Sequence, residues 1–386
     1  MRRFIQSMTT SISMNRLKTI YKNIFYIAFL LGRINWAKWI RAKSKREADL
    51  ILWVQQEWRG KRLKDILLGA NLLHDLALFK AVADSGVSFK LLLGTGIGEV
   101  KGKHIVYSIS NQFNVFRFSN HTHTFFDTLR YLEEQGNWLY PPYREALFWE
   151  NKGHMHREFE RLGIRTPQTK RFRTMAEVGV DAKFPALLKE VHSSSSLGVS
   201  KVISRDHLGE LVQERLSKGQ REFILQELLD IRMDLRVTLV GGEIVHHYWR
   251  INTGEVWKPT STGHGSKVDF VFFPERWRKV IEEAYEKLNL TTGAFDIAWQ
   301  GDDLDTEPFF LEVSPQYMPN PPILGKDAAA MSYADYKKKV FPIPAYYLDY
   351  IRIVFELKKM VVEKYLEGIV QSKSSSRTIP SDYKVQ

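Results

Sequence analysis

Apolar and polar positions along the chain follow two different periods. Asp49–Val54 is a short continuous apolar run that predicts a buried strand, and Phe89–Leu93 predicts a second. Between them Leu67, Leu68, Leu72, Leu76 and Phe79 form an apolar stripe that predicts a helix over Lys64–Asp84. Strand, helix and strand in that order make the βαβ unit of a parallel α/β domain. Helices are predicted next over His123–Gln135 and Tyr143–Leu162, separated by the turn signals Gly136 and Pro141-Pro142. After Thr166-Pro167 the period changes. Short β-type runs at 186–191, 223–228, 235–240, 243–249, 268–273, 294–299 and 309–313 alternate with Gly-rich and polar turns, interrupted by helices near 206–218 and 276–288. That pattern predicts an α+β arrangement of antiparallel hairpins, such as the one turned by Gly241-Gly242. A last helix is predicted over Tyr346–Val370.

Composition narrows the picture. With 44% apolar and 13% aromatic residues in a chain of 386, global disorder is excluded and two or three domains are expected. The net charge is +12, but eleven of the 56 Lys and Arg residues fall in residues 1–46, which contain no Asp or Glu. The rest of the chain is nearly neutral, so a basic nucleic-acid-binding body is not expected. The absence of cysteine excludes disulfides, thiolate metal sites and a catalytic thiol. The chain therefore divides into a basic arm (1–46), an α/β domain (47–142), an α+β domain (143–325), a C-terminal helical region (326–370) and a Ser/Lys-rich tail expected to be disordered (371–386).

In the arm, Ile20, Ile24, Ile27, Leu31 and Ile34 share a helical face, followed by Trp36 and Trp39. The longest apolar run, Ile24–Leu31, is well short of the roughly 20 residues needed to span a bilayer. Three readings stay open for it: peripheral contact with an anionic membrane, packing on the protein's own body, or an organelle transit peptide.

Several separated pieces can carry chemistry. Lys152 lies on a predicted helix and Lys189 ends the strand of Phe184–Lys189, where each supplies a point charge for phosphate oxygens. The loop Ser193, Ser194, Ser195, Ser196, Leu197, Gly198 is small and hydroxyl-rich, so its backbone N–H groups can approach phosphates. Gln226, Glu227 and Leu228 form a strand whose main chain can pair with an adenine edge, and Asp234 suits ribose hydroxyls. Asp296 and Glu312 are carboxylates within two apolar β-type runs, a good arrangement for hard oxygen ligands to Mg²⁺. Gly94-Thr-Gly-Ile-Gly98 follows a strand but spaces its third glycine one residue too early for a dinucleotide-binding turn, and reads as a plain glycine-rich turn. His246 and His247 are adjacent on a predicted strand, so at most one faces a cleft.

In this order and spacing the pieces resemble the ATP-grasp superfamily, and within it the RimK-like branch that includes ribosomal-protein glutamate ligase. The resemblance covers roughly residues 145–320, with a preceding α/β region where the family has its pre-ATP-grasp domain. It implies that Lys152 and Lys189 contact ATP phosphates, that Ser193–Gly198 is the phosphate loop, and that Gln226-Glu227-Leu228 is the adenine hinge. It further implies that Asp234 and Arg236 match the D-x-R element, Arg250 the later arginine, and Asp296, Glu312 and Ser314 the metal set. Ser314 stands where the family has asparagine, and Lys258 takes the place of a further arginine.

The implied function is an ATP- and Mg²⁺-dependent carboxylate–amine ligase working through an acyl phosphate, with one or two Mg²⁺ ions or with Mn²⁺ in their place. Arg236, Arg250 and Lys258 would hold the reacting group. Its substrates would be small-molecule or peptide acids and amines in the cytoplasm. Two alternatives use the same nucleotide site: a kinase acting on a small molecule or sugar, and a non-catalytic nucleotide-binding protein at a membrane.

Overall fold

Local apolar runs separate the chain into two compact units. The computed structural model describes residues 14–43, 48, 50–56, 63–68, 71–110, 115–118, 121–193, 198–254, 257–322, 333 and 345–375. One unit comprises Met1–Tyr143 with Ile351–Gln386, the other Arg144–Tyr350.

The first unit begins with two helices, α1 (Met14–Leu31) and α2 (Trp36–Lys43). Its strands β1 (Leu50–Val54), β2 (Phe89–Leu93), β3 (His104–Tyr107) and β6 (Trp138–Tyr140) form a parallel sheet in the order β2-β1-β3-β6. All five residues of β1 are buried, which is why it reads as an unbroken apolar run. The predicted helix over Lys64–Asp84 is instead two helices, α3 (Leu63–Leu67) and α4 (Leu72–Ser85), the second closed by Gly86 in the left-handed region at φ 77°. A small hairpin of β4 (Val115–Phe118) and β5 (His121–Thr124) precedes α5 (Phe125–Glu134), which starts on a Thr124–Asp127 capping box. Gly94–Glu99 is a 3₁₀ turn whose Gly94 carbonyl accepts from the Trp53 indole at 2.9 Å.

The arm's first helix packs on its own unit through one side. Asn23, Tyr26, Leu30 and Ile34 are buried, and α1 packs on α3 and α4, with the Asn23 amide donating to the Leu67 carbonyl at 2.5 Å. Of the face shared by Ile20, Ile24, Ile27, Leu31 and Ile34, Ile34 is buried and Ile24 is 51% exposed.

The second unit opens with α6 (Tyr143–Ala146) and α7 (Lys152–Arg161) in place of the single helix expected over Tyr143–Leu162. Glu150 adopts φ 48°, breaking the helix, and the Asn151 side chain then caps the new start by accepting from the His154 N–H at 3.2 Å. Two antiparallel sheets follow. The first takes β7 (Thr169–Phe172), β8 (Ala186–Glu190), β9 (Val199–Val202) and β10 (Phe223–Glu227) in the order β7-β10-β8-β9. Its apolar face packs on α8 (Arg205–Ser217).

The second sheet takes β11 (Met233–Val240), β12 (Glu243–Ile251), β13 (Lys267–Asp269), β14 (Thr292–Ala298) and β15 (Phe309–Ser314) in the order β13-β12-β11-β14-β15. Leu235, Val237, Leu239, Phe295 and Ile297 point to one face, where they pack with Met155 and Phe159 of α7 and with Ile281, Tyr285 and Leu288 of α9 (Arg278–Leu288). Each such fully buried apolar side chain contributes about 1.5–3 kcal/mol. The period of two then sends Asp234, Arg236, Asp296 and Glu312 to the opposite face. The helix α10 (Ala345–Ser375) starts in the second unit and continues into the first. Most of the tail expected over 371–386 lies outside the described residues, while 371–375 belong to α10.

Candidate active site

Strand register builds the site. Across β11 and β14, Arg236 stands directly opposite Asp296, and across β14 and β15 Asp296 stands opposite Glu312. Across β11 and β12, Asp234 stands opposite Arg250. Both strand pairs reach this alignment through a β-bulge. Between Thr238 and Leu239 the β11–β12 register shifts by one, and between Asp296 and Ile297 the β14–β15 register shifts likewise. Without those shifts Asp234 would face Trp249 and Asp296 would face Leu311, because one residue of slip exchanges the two faces of a strand.

The result is a buried lattice of alternating charge. Arg236 grips Asp296 with two bonds, Nε to Oδ1 at 2.6 Å and Nη2 to Oδ2 at 2.7 Å. Arg250 does the same to Asp234 at 2.7 and 2.5 Å, and its Nη2 also reaches Asp296 Oδ2 at 2.8 Å. The Thr260 hydroxyl donates to Asp234 Oδ2 at 2.7 Å. Burial pushes the Asp296 carboxyl up, but the Arg236 and Arg250 guanidiniums outweigh it and hold the group well below the usual carboxylate range. The same pairs raise Arg250 above an ordinary arginine, despite the opposing cost of its burial.

Two lysines arrive from the other sheet and from α7. Lys152, the first residue of α7, is buried, and its backbone N–H donates to the Val191 carbonyl at 3.0 Å. Its ammonium donates to the Ser193 carbonyl and lies 3.7 Å from Glu312 Oε1. Lys189 projects from β8 on the face opposite Leu188, whose side chain lies in the core under α8. Burial pushes its ammonium down to about 8; Glu312 and Asp296 raise it and Lys152 lowers it. Two lysines and two carboxylates from four distant stretches thus share one electrostatic environment.

α7 ties the two sheets of this unit together. His156 Nε2 lies 3.2 Å from the Gln226 amide, while the Met155 sulfur accepts from the Val313 N–H at 3.3 Å. The Gln226 amide also donates to Thr169 Oγ1 at 2.8 Å, so its side chain is spent on internal bonds. Burial, with Lys189 and Lys152 nearby, holds the His156 imidazole down at about 3, neutral at ordinary pH. Neither His156 nor Thr260 is distinguishable from the sequence, because each acts through a partner far along the chain.

The remaining expected residues fall as follows. Glu227 is exposed, with its N–H donating to the Gln168 carbonyl at 2.8 Å and its Oε2 accepting from the Gln168 N–H at 3.2 Å. Leu228 follows in the link between the two sheets. Asp234, read as a ribose contact, is buried and bonded to Arg250 and Thr260. Lys258 donates to the His264 carbonyl at 3.0 Å. Ser314 donates to the Gln316 carbonyl at 2.5 Å. Ser193 and Gly198 bound the hydroxyl-rich loop, and Ser194, Ser195 and Ser196 lie outside the described residues. His246 and His247 point to opposite faces, the first lying 3.0 Å from the Asn320 carbonyl and the second packing on Phe273.

No protein-family model and no curated protein sequence matches the chain. Solved structures do. A D-alanine–D-alanine ligase from Bacillus anthracis superposes with a TM-score of 0.53 at 11% identity, over 84% of this chain and 100% of that one. This is the ATP-grasp fold. A RimK-domain ATP-grasp protein from Sphaerobacter thermophilus is similar at a TM-score of 0.44 and 13% identity, over 68% of this chain and 90% of that one. In this chain the four-stranded and five-stranded antiparallel sheets of the second unit carry Lys189, Gln226, Glu227, Asp234, Arg236, Arg250, Asp296, Glu312 and Ser314, while Lys152 stands on α7.

The carboxylate set fits a hard cation in part. Among the described residues no group of three or more His, Cys, Asp or Glu side chains is placed to hold a metal. Asp296 and Glu312 offer two carboxylates side by side, and Ser314, two residues beyond Glu312, adds a hydroxyl oxygen on the same face. Asp296 already shares both oxygens with arginines, which leaves Glu312 as the freer oxygen donor.

Proposed function

We propose that the protein is an ATP- and Mg²⁺-dependent carboxylate–amine ligase of the RimK-like kind, acting in the cytoplasm on small-molecule or peptide substrates. The observation that carries this is the convergence of Lys152 and Lys189 on the Asp296–Glu312 pair. Cations suited to phosphate stand next to anions suited to the metal that accompanies it, on the polar face of a rigid sheet.

The chemistry follows in two displacements. A carboxylate oxygen of the acid attacks the γ-phosphorus of ATP, the bond to the β-phosphate oxygen breaks, and ADP leaves. The nitrogen of the amine then attacks the acyl carbon, inorganic phosphate departs, and the nitrogen loses a proton. Lys152 and Lys189 bind and orient the phosphates. Glu312, Asp296 and Ser314 would hold Mg²⁺, which supplies neutralising charge for the phosphate oxygens. Arg236 is the arginine for the transferred phosphoryl group: two of its five N–H donors hold Asp296 and the others remain for a ligand. Arg250, locked between two aspartates, positions Asp296, and Lys258 serves the acid end. The main chain of Gln226, Glu227 and Leu228 would meet the adenine, with Ser193–Gly198 closing over the phosphates. Catalysis is by positioning and fixed charge, and no side-chain nucleophile is required.

A screen of acid and amine pairs for ADP release tests this. Sustained release of ADP should require both an acid and an amine, and Glu312→Ala should lower turnover about a hundredfold or more. Turnover that survives unchanged in Glu312→Ala would show the metal assignment to be wrong. ADP release with a hydroxyl acceptor and no amine would make the protein a kinase.

A further inference from the structure

The face of α1 turned away from the body is apolar. Leu17, Tyr21 and Ile24 are 45%, 44% and 51% exposed, Ile20 and Leu31 are partly exposed, and all five fall on one side of the helix. The opposite side, with Asn23, Tyr26 and Leu30, is fully committed to α3 and α4. In α2, Trp39 packs on Phe79 and Phe89 while Trp36 and Ile40 stay exposed. The helix pair is therefore amphipathic twice over, with one apolar face already docked and a second without cover among the described residues. Arg16 borders the second face, and Lys22 and Arg33 lie toward the opposite side. Arg16 and Arg33 are exposed, Arg33 lying over the Phe29 ring at 3.9 Å, and Lys22 is partly exposed. No acidic residue occurs anywhere in residues 1–46.

We infer that this second face docks on the surface of an anionic lipid bilayer, with α1 lying in the interface rather than crossing it. No described helix is long and apolar enough to cross a membrane. A helix that presents aliphatic side chains from an acid-free segment rich in Arg and Lys, with Tyr and Trp at the margin, has the chemistry of an interfacial anchor. The charge decides between occupants. Two copies meeting through this face would bring two acid-free cationic segments together, and that repulsion opposes association. A surface rich in anionic headgroups attracts the same cations, each adding to the affinity within a Debye length.

Co-sedimentation of the full chain with vesicles of phosphatidylcholine and phosphatidylserine, against phosphatidylcholine alone, tests the inference. The wild type should bind the anionic vesicles, less so as salt rises. Leu17→Glu with Ile24→Glu, and separately Arg16→Gln with Arg33→Gln, should each reduce partitioning about tenfold or more. These side chains are exposed, so unchanged circular dichroism and unchanged ATP turnover should accompany the loss. Equal binding by wild type and variants, no preference for the anionic vesicles, or no binding by the wild type would overturn it. So would a wild-type dimer in solution that the apolar variant dissociates, since a second copy would then occupy the face.

Discussion

Lys189 is the residue whose surroundings make the most specific demand on solution conditions. Its ammonium, lowered to about 8 by burial, binds phosphate as a cation and loses that ability as it deprotonates. Affinity for ATP should therefore fall as pH rises through about 8, by about tenfold between roughly pH 7 and pH 9. An ordinary lysine would keep its charge over that range. Lys189→Arg, charged throughout, should flatten the profile in calorimetric titrations even if binding is weaker at every pH. A steep profile retained by Lys189→Arg would assign the titration to another group. At this scale the sequence is informative where chemistry and local position coincide. A lysine closing an apolar strand and a carboxylate inside one are conspicuous because water is the usual place for both. His156 is hidden for the converse reason: among the charged residues of Lys152–Arg161 it looks solvated, and only Gln226, 70 positions away, shows that it is interior.

Strands determine whether those residues meet. Arg250 and Asp234 are cross-strand partners buried against Asp296, so removing one leaves the other as an uncompensated charge. Arg250→Met should cost about 3–5 kcal/mol in urea denaturation, and adding Asp234→Leu should restore a good part of that. If the double variant is no better than the single, the pair is not the source of the loss. The turn at Gly241-Gly242 is plain in the sequence, and both glycines adopt positive φ, 58° and 90°. The register is not plain. Counting outward from that turn pairs Val240 with Glu243 and Leu239 with Ile244, but Thr238 meets His246, leaving Val245 as the extra residue. Local pattern gives no sign of that extra residue, and it decides which face Arg250 takes. The same limit explains the broken helix before Lys152. Glu150 and Asn151 interrupt no hydrophobic period, yet together they start α7 where its first side chain enters the site.

At the scale of the whole molecule, the chain leaves one unit at Arg144 and returns to it at Ile351. All residues proposed to contact nucleotide lie between those points. Calorimetry should then resolve two transitions, with Mg²⁺ and ATP raising the one that belongs to Arg144–Tyr350, by about 2.7 kcal/mol at roughly a hundredfold excess over Kd. Equal shifts of both transitions would count against a site confined to that unit. The return of the C-terminal helix is invisible to a linear reading: Phe355, whose ring lies 4.4 Å from the Lys80 ammonium, is 275 positions from its partner. The two bulged strand pairs make this protein tolerant of altered length at one point in each pair. Val245 and Leu311 can be exchanged for many residues of similar shape, since neither has a cross-strand partner. Deleting either would close the bulge and leave a regular ladder, with Arg250 still opposite Asp234 in one case and Glu312 still opposite Asp296 in the other. A frame-preserving loss of either codon would thus spare the register of the site, whereas a second codon lost from the same strand would find no spare residue to absorb it.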